Sequence, residues 1–407
     1  MGGYEPDPEL IERYARVLVD FALGGGEGIK RGDVVLVVGP ENAKPLFTAV
    51  CRAVWRSGGH VLRVYEPAED TVEQRSRDFY ELASDEQLDF FPERYYRGEL
   101  DQMDHLVAIT SPVNPHGLEG VPAEKIMRHN QAHMPLMDWQ QAKEGAGQLT
   151  WTVGLYGTEA MAAEAGLSLK DYWSQIASAC FLDDPDPIAR WREVTAQIDE
   201  HSAYLNSLPI DRLHIEGEDA DLWLTLGEHR RWLGGGGRNI PSYEIFTSPD
   251  WRGTEGWIRF SEPLYTYGSL IKGAELQFRD GRVVSARATQ REDLLREMVA
   301  VENADKVGEF SLTDARLSRI SHFMAHTLFD ENMGGPFGNT HIAVGLSYRS
   351  CYDGDETTVS EEEWDRLGYN RSSVHTDIVS TTDRTVTAVL KDGSQRVIYA
   401  GGQFQHG

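Results

Sequence analysis

Residues 33–65 read DVVLVVGPENAKPLFTAVCRAVWRSGGHVLRVY, and this stretch decides the fold expected for the first half of the chain. Its apolar run Asp33–Gly39 is typical of a strand that is buried on both faces of a sheet. An amphipathic helix is predicted over Ala43–Trp55, a Gly-Gly pair ends it, and His60–Tyr65 is predicted to form the next strand. The order strand, helix, strand predicts a β-α-β unit with parallel strands and a right-handed crossover.

The same alternation continues on both sides of this unit. Residues 8–23 place apolar side chains on one helical face, whereas 105–110 and 150–155 have the character of further strands. Residues 159–205 are expected to be mainly helical. The turn after the first strand reads VGPENAKP and lacks GxGxxG, so no dinucleotide cofactor is expected. Residues 1–208 are therefore predicted to form an α/β domain.

The second half of the chain consists mainly of short β-rich segments. The sequences RDGR at 279–282 and KDGS at 391–394 are typical of hairpin turns of the Asp-Gly type. One or two helices are expected, near 289–303 and 313–327. These patterns predict a mainly antiparallel α+β domain over residues 209–407.

Composition narrows the class of protein. The 407 residues exceed the roughly 250–300 at which one hydrophobic core stops growing, so two domains are expected. The formal charge of −26 argues against nucleic acid and anionic membranes as partners, because both would be repelled. The start, MGGYEPDPELIERYARV, lacks the regions of a signal peptide, and the sequence has no run of about 20 apolar residues that would span a bilayer.

The three cysteines, Cys51, Cys180 and Cys351, are far apart and form no CxxC pair. Such sparse usage fits a reducing compartment and predicts a cytoplasmic location. It also argues against a disulfide scaffold and against zinc bound by cysteine.

Residues that can bind metal concentrate in the second half. SSVHTDIVS contains His375 and Asp377, and in a strand these two side chains would point to the same face, as a shared metal requires. Glu309 in KVGEFSL and Glu244 in RNIPSYEIFTSP are further candidates. Taken singly, each is more often a solvated surface residue, so both interpretations stay open at this point.

The segment LFDENMGGPFGNTHIAVGLSY adds Asp330, Glu331, His341 and Tyr348. Glycines near His341 would let backbone and substrate approach closely. The alternatives are a loop histidine whose hydrogen bonds are satisfied and a core tyrosine whose hydroxyl is capped.

These segments together resemble the M29 metallopeptidases of the aminopeptidase T and S group. The resemblance runs through most of the chain and begins with ERYARVLVDFAL and WTVGLYGTEAMAAEAGLSL. In the second half it rests on five short motifs in a fixed order: Asn239-Ile-Pro-Ser-Tyr-Glu-Ile-Phe-Thr-Ser-Pro249, Gly308-Glu309, Leu328-Phe-Asp-Glu-Asn332, His341-Ile-Ala-Val-Gly-Leu-Ser-Tyr348 and Asn370-Arg-Ser-Ser-Val-His-Thr-Asp377.

The resemblance implies a dimeric aminopeptidase that trims peptides through a metal-bound hydroxide. It implies two divalent ions, zinc or cobalt, held in the second domain by Glu244, Glu309, His341, His375 and Asp377. Glu309 would bridge the ions, Tyr348 matches the active-site tyrosine, and Glu331 matches the acidic residue of the Asp-Glu-Asn motif. Two such ions can share one hydroxide and polarise a peptide carbonyl.

The chain departs from the family pattern at three places. Tyr243 stands where a glycine usually precedes the first ligand, residues 333–340 form a longer segment than usual, and Tyr156-Gly157-Thr158 replaces Tyr-Pro-Thr.

Two alternatives belong to other classes of protein. Iron dioxygenases of similar fold cleave dihydroxypyridines with two histidines and one carboxylate, for which His341, His375 and Asp377 would suffice. The extra carboxylates favour the two-metal peptidase. The other alternative is a catalytically inactive binding protein, which the complete ligand set disfavours.

Overall fold

The computed structural model describes residues 4–70, 72–234 and 239–406. The chain divides into two compact units. The first unit runs to Thr195 and includes two later segments, one ending at Ser242 and the other being His322–Phe329. The second unit comprises Ala196–Gly234, Tyr243–Ser321 and the chain from Asp330 onward. The domain boundary expected after residue 208 stays a prediction.

A four-stranded parallel sheet forms the centre of the first unit, in the order β2-β1-β3-β4. Its strands are β1 Val34–Pro40, β2 His60–Glu66, β3 His105–Thr110 and β4 Thr150–Leu155. Val35 and Val37 in β1 are fully buried, as a strand covered on both faces requires. The predicted parallel α/β organisation is confirmed.

Helices flank these strands in the sequence. They are α1 Pro8–Val17, α2 Lys44–Arg56, α3 Arg75–Leu82, α4 Asp85–Leu88, α5 Glu93–Gln102, α6 Ala123–Ala132, α7 Met134–Gly145, α8 Glu159–Glu164, α9 Leu169–Ala179 and α10 Pro187–Ser207. Asp7 caps α1 by accepting a bond from the Glu9 amide, and Pro8 occupies its first turn. The helix predicted over 8–23 is α1 continued by a π-helical turn, Leu18–Ala22.

The second unit contains two antiparallel sheets and a hairpin. The eight-stranded sheet has the order β13-β12-β9-β6-β5-β17-β18-β19, the five-stranded sheet has the order β16-β15-β14-β8-β7, and β10 pairs with β11. The strands are β5 Ile210–Gly217, β6 Ala220–Thr225, β7 Leu233–Gly234, β8 Glu244–Thr247, β9 Asp250–Arg259, β10 Leu264–Thr266, β11 Ser269–Ile271, β12 Glu275–Arg279, β13 Arg282–Arg287, β14 Val307–Thr313, β15 Asn339–Gly345, β16 His375–Ser380, β17 Arg384–Leu390, β18 Gln395–Ala400 and β19 Gln403–Phe404. Both predicted Asp-Gly turns join neighbouring antiparallel strands.

The helix predicted near 313–327 is wrong. The α-helices of the second half are α11 Glu292–Val299, α12 Thr327–Asp330 and α13 Glu361–Arg366. Of these, only α12 reaches the predicted range, and it begins at its last residue. The Asp314 carboxylate accepts bonds from the amides of Arg316 and Phe404, and the Ala315 amide donates to the Gly402 carbonyl. Asp314 and Ala315 are thereby bonded to the C-terminal hairpin, and the segment that follows them is not helical.

Across the described residues, no helix is both long and apolar enough to cross a membrane.

Candidate metal centre

One face of the five-stranded sheet collects the predicted metal ligands. Glu309 on β14 lies opposite Ala343 on β15, and Ala343 lies opposite Asp377 on β16. In the next row Ser311 lies opposite His341. Residues that face each other in an antiparallel sheet, and residues two apart in a strand, share a face. The register therefore places Glu309, His341 and Asp377 together.

The outer strands supply the other two side chains. Glu244 on β8 pairs with Thr313, which is on the same face of β14 as Glu309. His375 begins β16, two residues before Asp377, so this pair shares a face as the period of a strand predicts. All five sequence candidates thus lie on one face of four adjacent strands.

The five side chains form two triads that share Glu309. In the first triad, Nε2 of His341 lies 3.4 Å from Oε2 of Glu244 and 3.5 Å from Oε1 of Glu309. In the second, Nε2 of His375 lies 3.5 Å from Oε2 of Glu309 and 3.6 Å from Oδ1 of Asp377. Within each triad, all donor atoms lie within 4.8 Å of one another. Each triad is therefore small enough to surround one ion.

Hydrogen bonds outside the triads orient their members. Nδ1 of His375 lies 2.9 Å from the Leu346 carbonyl oxygen, which can only accept, so Nδ1 carries a proton and Nε2 is the nitrogen that faces Glu309 and Asp377. The Ser311 hydroxyl donates to Oε2 of Glu244 at 2.9 Å. These contacts preset the donor atoms toward the centres of the triads.

The carboxylates repel one another in this buried place. Burial raises the pKa of Glu244, and Glu309 and Asp377 raise it further against the opposing effect of His341. Burial also raises the pKa of Asp377, and Glu309 adds to the effect. So many buried carboxylates require compensating positive charge.

The two imidazoles supply part of that charge in the protein alone. Burial lowers the pKa of His375, but Asp377 and Glu309 outweigh it and raise the value to about 9. Burial raises the pKa of Glu309, but its bonds with His341 and His375 outweigh it and lower the value to about 2. Divalent cations would replace these protons, because metal ligands must be deprotonated.

The donor set fits divalent ions. Each triad offers one imidazole nitrogen and two carboxylates, a mixture that suits zinc, cobalt or iron and excludes soft, thiolate-bound metals. Three protein ligands leave a coordination position open, as catalytic sites do. Nδ1 of His341 has no hydrogen-bond partner among the described residues. The outer hydrogen bond that usually orients a metal-binding histidine is therefore not seen at His341.

The two remaining predicted residues lie outside the triads. The Tyr348 ring is centred 4.7 Å from the His375 ring and 5.7 Å from that of Phe246. Glu331 is buried, and burial together with the charges of Asp377 and Glu244 raises its pKa well above the ordinary range. Glu331 is therefore close enough to the candidate ligands to be affected by their charges.

The longer segment 333–340 folds back on its own start. At its end, Nδ2 of Asn339 donates to the carbonyl oxygens of Asp330 and Glu331, at 3.1 and 2.9 Å. Because Asn339 begins the strand that carries His341, these bonds tie Glu331 to that strand whatever the length of the segment between them.

Sequence patterns did not identify three residues that make hydrogen bonds around the candidate ligands and Glu331. Ser311 follows Glu309 by two residues, so strand period alone places it on the ligand face. Asn332 belongs to the Asp-Glu-Asn motif, in which only the glutamate was given a role. Asn339 precedes His341 by two residues, but its target lies across the segment, where no local pattern indicates it.

The fold and this candidate centre together indicate the class of protein: a metalloenzyme with a parallel α/β unit and an antiparallel unit that carries the candidate metal ligands. The chain matches the family described as thermophilic metalloprotease (M29) over residues 7–404. It belongs to the M29 family and is a metal-dependent peptide hydrolase.

Named relatives are similar along nearly their whole length. Aminopeptidase T of Thermus thermophilus is 28% identical, with 97% of this chain and 99% of the relative covered. Aminopeptidase PepS of Streptococcus thermophilus is 26% identical, with 97% and 98% covered. The solved structure of wild-type AmpT from Thermus thermophilus matches with a TM-score of 0.80 at 26% identity, over 98% of this chain and 99% of that one.

A more distant structure shares the fold. A 2,5-dihydroxypyridine dioxygenase from Pseudomonas putida KT2440 matches over 99% of both chains, with a TM-score of 0.51 and 13% identity. At that identity the likeness shows the fold alone.

Proposed function

We propose that the protein is an aminopeptidase that removes N-terminal residues from peptides with two divalent ions, zinc or cobalt. The observation that carries the proposal is the sharing of Glu309 between two triads, one completed by Glu244 and His341 and the other by His375 and Asp377. A carboxylate with one oxygen toward each triad suits a pair of ions about 3.5–4 Å apart. The names of the relatives support the choice of an aminopeptidase.

The proposed reaction assigns separate tasks to the ions and to the protein. When bound, divalent ions supply Lewis acidity, which polarises the scissile carbonyl and lowers the pKa of water. Glu331 accepts the proton of the attacking water and passes it to the leaving amine. Tyr348, packed against His375, donates its hydroxyl hydrogen to the developing oxyanion.

Selection for a free N-terminus follows from the groups that the centre offers to an amine. The free α-amine of a peptide would bind one of the ions or a nearby carboxylate such as the buried Glu331. The nitrogen of an internal peptide bond is acylated and would do neither, so trimming from the N-terminus is expected.

The dioxygenase alternative uses fewer of these residues. A single iron needs two histidines and one carboxylate, which leaves Glu244 and Glu309 without a task. Both nevertheless lie within 3.5 Å of His341. A paired-ion peptidase accounts for all five side chains.

The deciding experiment measures metal content and two reactions on the same purified protein. We expect about two zinc or cobalt ions per chain and release of leucine from leucyl-p-nitroanilide. N-acetyl-leucyl-p-nitroanilide is the matched control, and it should not be cleaved because its amine is blocked. One iron per chain with oxygen uptake on 2,5-dihydroxypyridine, and no leucine release, would overturn the proposal.

Two further properties are proposed from the family resemblance: a homodimer and a cytoplasmic location. Light scattering on a size-exclusion column tests the first, since a mass near 45.7 kDa would mean a monomer. Cell fractionation tests the second.

A further inference from the structure

One buried amide connects two parts of the metal centre. Oδ1 of Asn332 accepts a bond of 2.6 Å from the backbone N–H of Tyr243, the residue next to Glu244. Nδ2 of Asn332 donates to Oε1 of Glu331 at 3.3 Å. Asn332 is fully buried, so neither bond competes with solvent.

The chemistry of the partners fixes the orientation of this amide. A backbone N–H can only donate, so the Asn332 oxygen must face Tyr243 and its NH₂ group must face Glu331. An aspartate at 332 could accept from Tyr243 but could not donate to an ionised Glu331. Asparagine therefore fits both contacts, whereas its isosteric acid fits one.

The Glu331 backbone is held separately from its carboxylate. Asn339 holds the Asp330 and Glu331 carbonyls, and the Ser318 hydroxyl donates to the Asn332 carbonyl at 2.5 Å. With the main chain fixed in this way, the bond from Asn332 to Oε1 acts on the side chain of Glu331 and limits its rotation.

We propose that Asn332 is a positioning residue that orients the Glu331 carboxylate for proton transfer. The proposal rests on the function assigned above, in which Glu331 moves the proton of the attacking water. The bond to Tyr243 anchors the amide beside the Glu244 ligand, so Asn332 keeps the proton carrier at a fixed place relative to the first triad. A displacement of about 1 Å at such a group can cost about 100-fold in rate.

The test is a double-mutant cycle on the intact, metal-loaded protein. Asn332→Asp should lower kcat on leucyl-p-nitroanilide by about 10–100-fold, with KM within about twofold and metal content unchanged. Glu331→Gln should lower kcat as well, and adding Asn332→Asp to it should cause no further loss. Asn206→Asp is the matched control and should retain kcat, because the Asn206 amide likewise accepts from one group and donates to another, both on the Trp232 backbone and not on Glu331.

Each other outcome contradicts the proposal. An unchanged kcat in Asn332→Asp, or an additional loss in the double variant, would show that Asn332 does not act through Glu331. Loss of metal in Asn332→Asp would show that it supports the Glu244 ligand instead. Should Asn332→Asp not fold, Asn332→Ala enters the same cycle. Absence of leucine release by the wild-type protein would instead refute the proposed function, so the two failures are distinguishable.

Discussion

Oε2 of Glu309 lies 3.5 Å from Nε2 of His375, while the other oxygen of the same carboxylate faces the first triad. Glu309 is 3% exposed and lies on the central strand β14 of the five-stranded sheet. This one side chain therefore contacts the histidines of both triads.

Replacing Glu309 by glutamine should abolish peptidase activity and lower the metal content of both triads. Loss of an outer partner of a metal ligand already costs about 10–100-fold in affinity or activity, so loss of a shared ligand should cost more than about 100-fold. Metal analysis and leucyl-p-nitroanilide hydrolysis measure the effect. Glu297→Gln, on the exposed side of α11, is the matched control. Retained activity would remove Glu309 from the shared position.

A larger side chain at position 343 should interfere with metal binding. Ala343 is fully buried and lies in the register between Glu309 and Asp377, so its methyl group is on the same face of the sheet as their carboxylates. Ala343→Leu should place a larger side chain between them and lower metal content, with secondary structure retained by circular dichroism. Ala343→Gly is the control and should keep the metal. Normal metal content in Ala343→Leu would show that the ions lie elsewhere.

Sequence patterns predicted the features that depend on neighbouring residues, such as individual strands. They did not predict the features that depend on pairing between distant strands. The apolar run in β1 and the period of two in His375 and Asp377 are local signals, and the structure has both features. Glu244, Glu309 and His341 are isolated in the sequence, and only the register across four strands brings them together. The family resemblance supplied that set in advance.

The incorrect prediction of a helix near 313–327 also results from contacts between residues that are distant in the sequence. A helix was expected there, but the Asp314 carboxylate accepts a bond from the Phe404 amide, 90 residues later. A local pattern carries no information about that partner. The role of Asn339 was not predicted for a related reason. Its hydrogen bonds to the carbonyls of Asp330 and Glu331 depend on the conformation of the longer segment between them.

Removal of the Tyr348 hydroxyl should affect turnover more than binding. Under the proposed function it stabilises the oxyanion, and the loss of one such donor costs about 10²–10³ in kcat. Tyr348→Phe should therefore lower kcat toward that extent, with KM little changed because the ring still packs against His375. Steady-state kinetics measure the split. An unchanged kcat would assign the tyrosine to packing only.

Arg384 should be critical for stability. Its fully buried guanidinium lies 3.0 Å from Asp219, in the turn between β5 and β6, and donates to Thr340 in the five-stranded sheet at 2.8 Å. Arg384→Met would leave the Asp219 carboxylate without its cation, and breaking a buried pair costs about 3–5 kcal/mol. Urea unfolding measures the loss. Arg396→Met, on an exposed strand position, should change stability by less than about 0.5 kcal/mol.

His326 should make stability depend on pH in a defined window. Burial lowers its pKa to about 4, and its Nε2 lies 3.1 Å from the Thr110 hydroxyl. An unfolded histidine has a pKa of about 6.5, so between that pH and about 4 the unfolded chain binds a proton that the folded chain does not. The free energy of unfolding from this group therefore falls as pH is lowered through the window, by up to about 1.4 kcal/mol per pH unit. His326→Gln removes the titrating group and should make the decline less steep, whereas the exposed His60→Gln should not. Urea unfolding at pH 7, 6 and 5 measures the slopes. Equal slopes in the wild-type protein and His326→Gln would show that His326 does not resist protonation in the fold.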